Sequence, residues 1–147
     1  MADWKPETIL CGLDGSAQSI RAAQVAATLA RLMGAELIFV TVVHPPEGWW
    51  GIVGAPPVGE VVEDTLEKAQ REVLDRSLQV VDLDDVRYQT VKDTGDPTGQ
   101  LLVAAERFDA DLFVLGRRGA GLLQRVAVGS VADRVAHDAE CPVLLVP

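Results

Sequence analysis

Leu37-Ile38-Phe39-Val40-Thr41-Val42-Val43 is an uncharged run, apolar at every position but one and mostly β-branched. A strand that is hydrophobic throughout, rather than at every second residue, suits a parallel sheet covered by helices on both faces. Upstream, Ile9-Leu10-Cys11-Gly12-Leu13 is a shorter apolar run that ends in Asp14-Gly15-Ser16, the composition of a buried strand followed by a tight turn. Between the two runs, Ala22, Val25, Ala26, Leu29, Leu32 and Met33 recur at helical spacing and read as the inward face of a helix. Ser16 is placed to cap that helix and Gly34 to stop it.

Downstream, the stretch from His44 to Gly59 is rich in proline and glycine, carries Trp49 and Trp50, and reads as a long loop. Val58, Val61, Val62, Leu66, Ala69, Val73, Leu74 and Leu78 then predict an amphipathic surface helix. Val86 to Val91 predicts a half-exposed third strand, and Asp96-Pro97 opens a helix that turns Leu101, Leu102, Ala105 and Phe108 inward. Leu112 to Leu115 repeats the buried-strand signature, Ser130 to His137 reads as a short helix, and Val143 to Val146 as a last strand. Strands alternating with helices define a doubly wound α/β fold, a five-stranded parallel sheet with helices on both faces. No internal repeat, low-complexity tract or linker interrupts residues 1–147, so one domain is expected.

Nearly half of the 147 residues are apolar, enough for a sizeable core. A formal charge of −9 and a pI near 4.6 argue against nucleic-acid and anionic-membrane partners, which such a surface repels at long range. Met1-Ala2-Asp3-Trp4-Lys5 lacks the basic and then apolar run of a secretion signal, and no stretch reaches membrane-spanning length, so a cytoplasmic protein is expected. In that reducing compartment Cys11 and Cys141 read as small buried apolar groups rather than a disulfide. The two histidines, His44 and His137, form no closely spaced ligand pair for zinc.

The chemistry concentrates where the fourth strand ends. Gly116-Arg117-Arg118-Gly119, nine residues, then Gly129-Ser130 lie between a buried strand and a helix. In open parallel sheets ligands sit beyond the carboxyl ends of strands, where a helix N-terminus presents unpaired N–H groups and partial positive charge to an anion. Glycines there let backbone N–H groups approach a phosphate oxygen, and the Ser130 hydroxyl can donate to it. No Gly-Lys-Ser/Thr follows, so this is not a Walker loop, and Gly119-Ala120-Gly121 lacks the third glycine of the dinucleotide fingerprint. Read alone, such a turn is also compatible with a tight structural connection.

Together with Leu13-Asp14-Gly15-Ser16 and Cys141-Pro142-Val143, the glycine spacing resembles the universal stress protein family along essentially the whole chain. The spacing is the complete one of that family's ATP-binding branch. The resemblance implies a Rossmann-like, adenine nucleotide alpha hydrolase-like fold with strand order 3-2-1-4-5. It further implies ATP, or ADP, AMP or cyclic AMP, bound at the strand ends. Gly116, Arg117, Arg118, Gly119, Ala120, Gly121 and Leu122 with Gly129, Ser130, Val131 and Ala132 would then form the phosphate and ribose cradle. Gly12 would approach the base, and Val42 would meet adenine through its backbone. Asp14 would face the site as a partner of ribose, of water or of a nucleotide-bound magnesium ion; read from its position alone, it is equally a cap of the first helix.

The remaining features leave alternatives open. His44 is placed for an edge contact with nucleotide or for plain solvation, and Trp49-Trp50 for a lid over the base or for packing. His137 falls on a polar helix face. Val143 to Val146 is expected at a sheet edge, where unpaired backbone groups suit a two-fold homodimer, as the family resemblance also implies, or are shielded by local side chains. Asp14 is the one carboxylate that the motif supplies, and no catalytic set accompanies it, so a regulatory or stress-response binder with at most slow ATP hydrolysis is expected. The competing readings are a nucleotide-independent dimeric module of the same fold and a weak ATPase or adenylyl-transferring enzyme.

Overall fold

The computed structural model describes residues 3–44, 56–118 and 128–147. Its elements are β1 (Thr8–Gly12), α1 (Ala17–Met33), β2 (Glu36–Val43), α2 (Pro56–Leu78), β3 (Tyr88–Thr94), α3 (Pro97–Arg107), β4 (Leu112–Gly116), α4 (Ser130–Asp138) and β5 (Val143–Val146). The five strands form one sheet in the order β3-β2-β1-β4-β5, with every neighbouring pair parallel. The expected class and strand order are thus observed.

The continuous apolar runs are explained by what covers each face. Ile9, Cys11, Leu37, Phe39, Leu112 and Val114 point to one side, against the alanines of α1 and Leu74 of α2. Leu10, Ile38, Val40, Phe113 and Leu115 point to the other, against Leu101 and Ala104 of α3 and Val135 of α4. Each such side chain, taken out of water, contributes about 1.5–3 kcal/mol, and the central strands bury them on both faces.

Helix caps follow the expected chemistry. The Ser16 side chain accepts the Ser19 N–H, Gly34 ends α1 in the left-handed conformation at φ 68°, and Asp96 accepts the Gly99 N–H at the start of α3. Three details depart from expectation. Leu32 is exposed, because the buried stripe of α1 runs through Ala22, Ala23, Ala26, Ala27 and Ala30, and a residue two beyond Ala30 lies about 200° round the helix. On α2, Ala69 is exposed and Gln70 is buried, its amide donating to the Asp93 carbonyl at 2.6 Å. The helix begins at Pro56, within the stretch read as loop, since proline fits a first helical turn that needs no donor.

The third strand is also displaced from Val86–Val91. Val86 belongs to the turn before it and packs with Leu83 on the α1 and α2 side of the core. Pairing with the long β2, from Leu37 opposite Tyr88 to Val43 opposite Thr94, carries the strand on to Thr94. β3 is an edge, mostly exposed, tied to the core by an edge-to-face contact between Tyr88 and Phe39 with ring centroids 6.0 Å apart.

Candidate functional site

β1 and β4 are neighbours that lead to opposite faces of the sheet, β1 into α1 and β4 toward α4. Strand order reverses between them, and the crevice outside their carboxyl ends is where open α/β sheets receive ligands. A cleft of about 330 Å³ lies there, within the range of small-molecule sites.

One wall is the turn from β1 into α1. The Asp14 carboxylate accepts the Ser16 N–H at 2.9 Å, while Ser19 donates its hydroxyl to the Ser16 carbonyl at 2.9 Å. Asp14 therefore organises the turn before α1 and lines the cleft, but it is not the helix cap it was equally expected to be. The cap is Ser16, whose hydroxyl oxygen accepts the Ser19 N–H.

The opposite wall joins β4 to α4. The Arg117 N–H donates to the Val146 carbonyl, and the Arg117 carbonyl accepts the Gly129 N–H, both at 2.7 Å, so the two ends of the glycine spacing are held side by side. Gly129 is the N-cap of α4 and has no side chain with which to cap it. Ser130, Val131 and Ala132, whose N–H groups form the orphan first turn, line the cleft. A helix start of this kind offers donors and partial positive charge to an anion.

The floor is apolar, built from Val40 and Val42 of β2, Leu101 of α3 and Leu115 of β4, with Pro97 at the rim. A Cβ on Gly12 would stand 2.9 Å from Leu115 Cδ2 and 3.4 Å from a Leu101 methyl, so glycine leaves these two side chains room beside the strand. Gly116 serves a purpose the sequence did not disclose: a Cβ there would lie 3.0 Å from the Gln18 carbonyl carbon and the Ser19 nitrogen. Its missing side chain lets β4 meet the first turn of α1 rather than opening space for a ligand.

Of the residues expected at the site, Gly12, Asp14, Val42, Gly116, Arg118, Gly129, Ser130, Val131 and Ala132 line this cleft together. Arg117 does not; its Nε is buried without a hydrogen-bond partner among the described residues. Gly119, Ala120, Gly121 and Leu122 lie outside the described residues, as do Trp49 and Trp50. Leu13, Ser19, Val40, Pro97, Leu101 and Leu115 complete the lining and were not anticipated. Val40 was findable, standing two residues before Val42 on the same face of its strand.

His44, just beyond β2, and His137, on α4, are exposed and do not line the cleft. Cys11 is fully buried and its thiol is pushed far up by desolvation. Cys141 is only half-buried, contrary to the expectation of a buried group; burial again raises its thiol. Among the described residues no cluster of histidine, cysteine and acidic side chains could hold a metal ion, and no helix is long and apolar enough to cross a membrane.

The fold is doubly wound α/β with a cleft at its topological switch point, and the comparisons give it a family. The model of the universal stress protein family matches residues 6–147. Universal stress protein MJ0531 of Methanocaldococcus jannaschii is 34% identical over 94% of this chain and 80% of its own length. A universal stress protein of Thermus aquaticus is 36% identical over 95% of this chain and 98% of its own. The chain belongs to the universal stress protein family.

Among solved structures, hypothetical protein MJ0577 superposes with a TM-score of 0.78 at 21% identity, covering 95% of this chain and 94% of that one, a likeness of fold. A universal stress protein in complex with cAMP superposes with a TM-score of 0.66 at 27% identity, covering 97% and 98%. A third, from Archaeoglobus fulgidus in complex with dAMP, gives 0.64 at 22% identity and 98% of both chains.

Proposed function

We propose that this chain binds ATP, or a related adenine nucleotide, in the cleft at the β1/β4 switch point, and works as a regulatory or stress-response protein rather than an efficient enzyme. The observation that carries the reading is the pairing of an apolar floor with the N-terminus of α4, whose N-cap Gly129 supplies no side-chain cap. A flat apolar base suits Val40, Val42 and Leu101; phosphate oxygens suit the orphan N–H groups after Gly129. The complete Gly116, Gly119, Gly129 and Ser130 spacing supports ATP within this class. So do the relatives that bind cAMP and dAMP, ligands that share adenine and a phosphate.

Asp14 is the acidic residue lining the described cleft, and its turn-holding bond to Ser16 suits a fixed partner for ribose or for magnesium that arrives with the nucleotide. A general base must instead reach an attacking water and move a proton, whereas Asp14, the carboxylate among the described cleft residues, is engaged by the Ser16 N–H. We therefore read hydrolysis as slow or negligible. We read residues 1–147 as one domain of a cytoplasmic protein. We further read the β5 edge as the seat of a homodimer, because among the described residues no strand lies beside its outer backbone groups and Leu144 is exposed on it.

Denaturing the purified protein and identifying the released small molecules by mass spectrometry tests the reading. A co-purified adenine nucleotide is the expected result. Release of none, with no calorimetric response to MgATP, ADP, AMP or cAMP, would refute it.

A further inference from the structure

Gln18 stands in the first turn of α1 and does not line the cleft, yet it ties together the cleft's two walls. Its side-chain amide oxygen accepts the backbone N–H of Arg118 at 2.6 Å, across a hundred residues of chain. At the same junction, the absent Cβ of Gly116 leaves β4 in close contact with the Gln18 and Ser19 backbone. The residue between, Arg117, accepts the Gly129 N–H and so passes the constraint on to the start of α4. A continuous path therefore runs from the turn that holds Asp14, through Gln18, to the orphan donors of Ser130 to Ala132.

We propose that Gln18 is a positioning residue for the phosphates of the bound nucleotide, a role that rests on the nucleotide reading above. By holding the Arg118 N–H it fixes the entry of the glycine segment against α1, and with it the distance between Asp14 and the α4 N-terminus. Hydrogen bonds to phosphate depend steeply on distance and angle, whereas apolar contact with a base on Val42 and Leu101 does not. Removing the Gln18 acceptor therefore weakens ligands in proportion to their phosphates and spares the bare nucleoside. Were Gln18 instead a competitor of phosphate for the Arg118 N–H, its removal would tighten binding.

Titration calorimetry of the full chain with ATP and with adenosine, for wild type, Gln18→Met and Gln18→Ala, tests this. Met matches the length of Gln without the acceptor. Ala keeps the Cβ that meets Gly116 and serves as the second variant if Met disturbs folding. ATP affinity is expected to fall about three- to tenfold in both, the worth of one hydrogen bond, with adenosine affinity unchanged. Unchanged or tighter ATP binding, or equal losses for ATP and adenosine, would overturn the role of Gln18 alone. A wild-type protein that binds neither ligand would overturn the nucleotide reading and this inference with it.

Discussion

The carbonyl oxygen of Arg117 accepts the N–H of Gly129 at 2.7 Å, which closes the glycine segment at its base. Arg117 also donates its own N–H to Val146 in the edge strand. Loop base, β5 and the start of α4 are thus one hydrogen-bonded unit, and changes at this junction should affect fold and site together.

Gly116 is the sharpest case. A Cβ there meets backbone atoms of Gln18 and Ser19 at 3.0 Å, and backbone cannot step aside as a side-chain end can. Gly116→Ala is expected to destabilise by about 1–3 kcal/mol, the usual consequence of overpacking, and to weaken nucleotide binding as well. Gly12→Ala meets the far end of Leu115 at 2.9 Å, so its effect on stability should be smaller. Urea denaturation of both variants ranks them; the reverse order would show that the β4–α1 contact is not the less yielding one.

Asp111 anchors the other end of the sheet. Its carboxylate accepts the N–H groups of Glu7 and Thr8 at 2.9 and 3.0 Å, where β1 begins. Asp111→Ala should lower stability by about 1.5–3 kcal/mol, the range for bonds to a charged acceptor. The expected signature is a lower urea midpoint with an unchanged slope. Nucleotide affinity should not change, because the cleft lies beyond the opposite strand ends.

The cap at Ser16 has a separable effect. Ser16→Ala removes the acceptor of the Ser19 N–H and should destabilise by about 1 kcal/mol. Thermal unfolding checks it, and Ser16→Asp, which restores an acceptor, should recover most of the loss.

The two thiols should differ in reactivity. Burial raises both, so the thiolate fraction at pH 8 falls below that of a free cysteine, and alkylation should accelerate as pH rises. Cys141, half-buried, should be modified slowly by iodoacetamide in the native protein; Cys11 should react only after unfolding. Mass mapping of the alkylated sites against pH reads this directly, and native labelling of Cys11 ahead of Cys141 would contradict it.

Much of the fold was legible because the strands carry long apolar runs that only a doubly covered sheet accommodates. The errors fall where pattern and packing part. Leu32 fits helical spacing, but α1 packs through a stripe of alanines that lets it lie close to the sheet. Val86 is apolar because it plugs the core before β3, not because it pairs with β2. At the site, spacing marked the glycines and the start of α4, which are local in sequence. It could not show that Leu101 of α3 shares a floor with Leu115 of β4, or that Gly116 is small for the sake of Gln18; both depend on contacts between distant segments.

Calorimetry of the wild type, Gly129→Val and Arg117→Ala with MgATP, ADP, AMP and cAMP tests the central claim most directly. Gly129 has φ −69° and ψ 156°, values that valine adopts readily, so a loss in Gly129→Val reports blocked access to the α4 donors rather than backbone strain. Saturable wild-type binding of at least one of these nucleotides, abolished in Gly129→Val and retained in Arg117→Ala, is the predicted result. No binding by the wild type, or a greater loss in Arg117→Ala than in Gly129→Val, would contradict it.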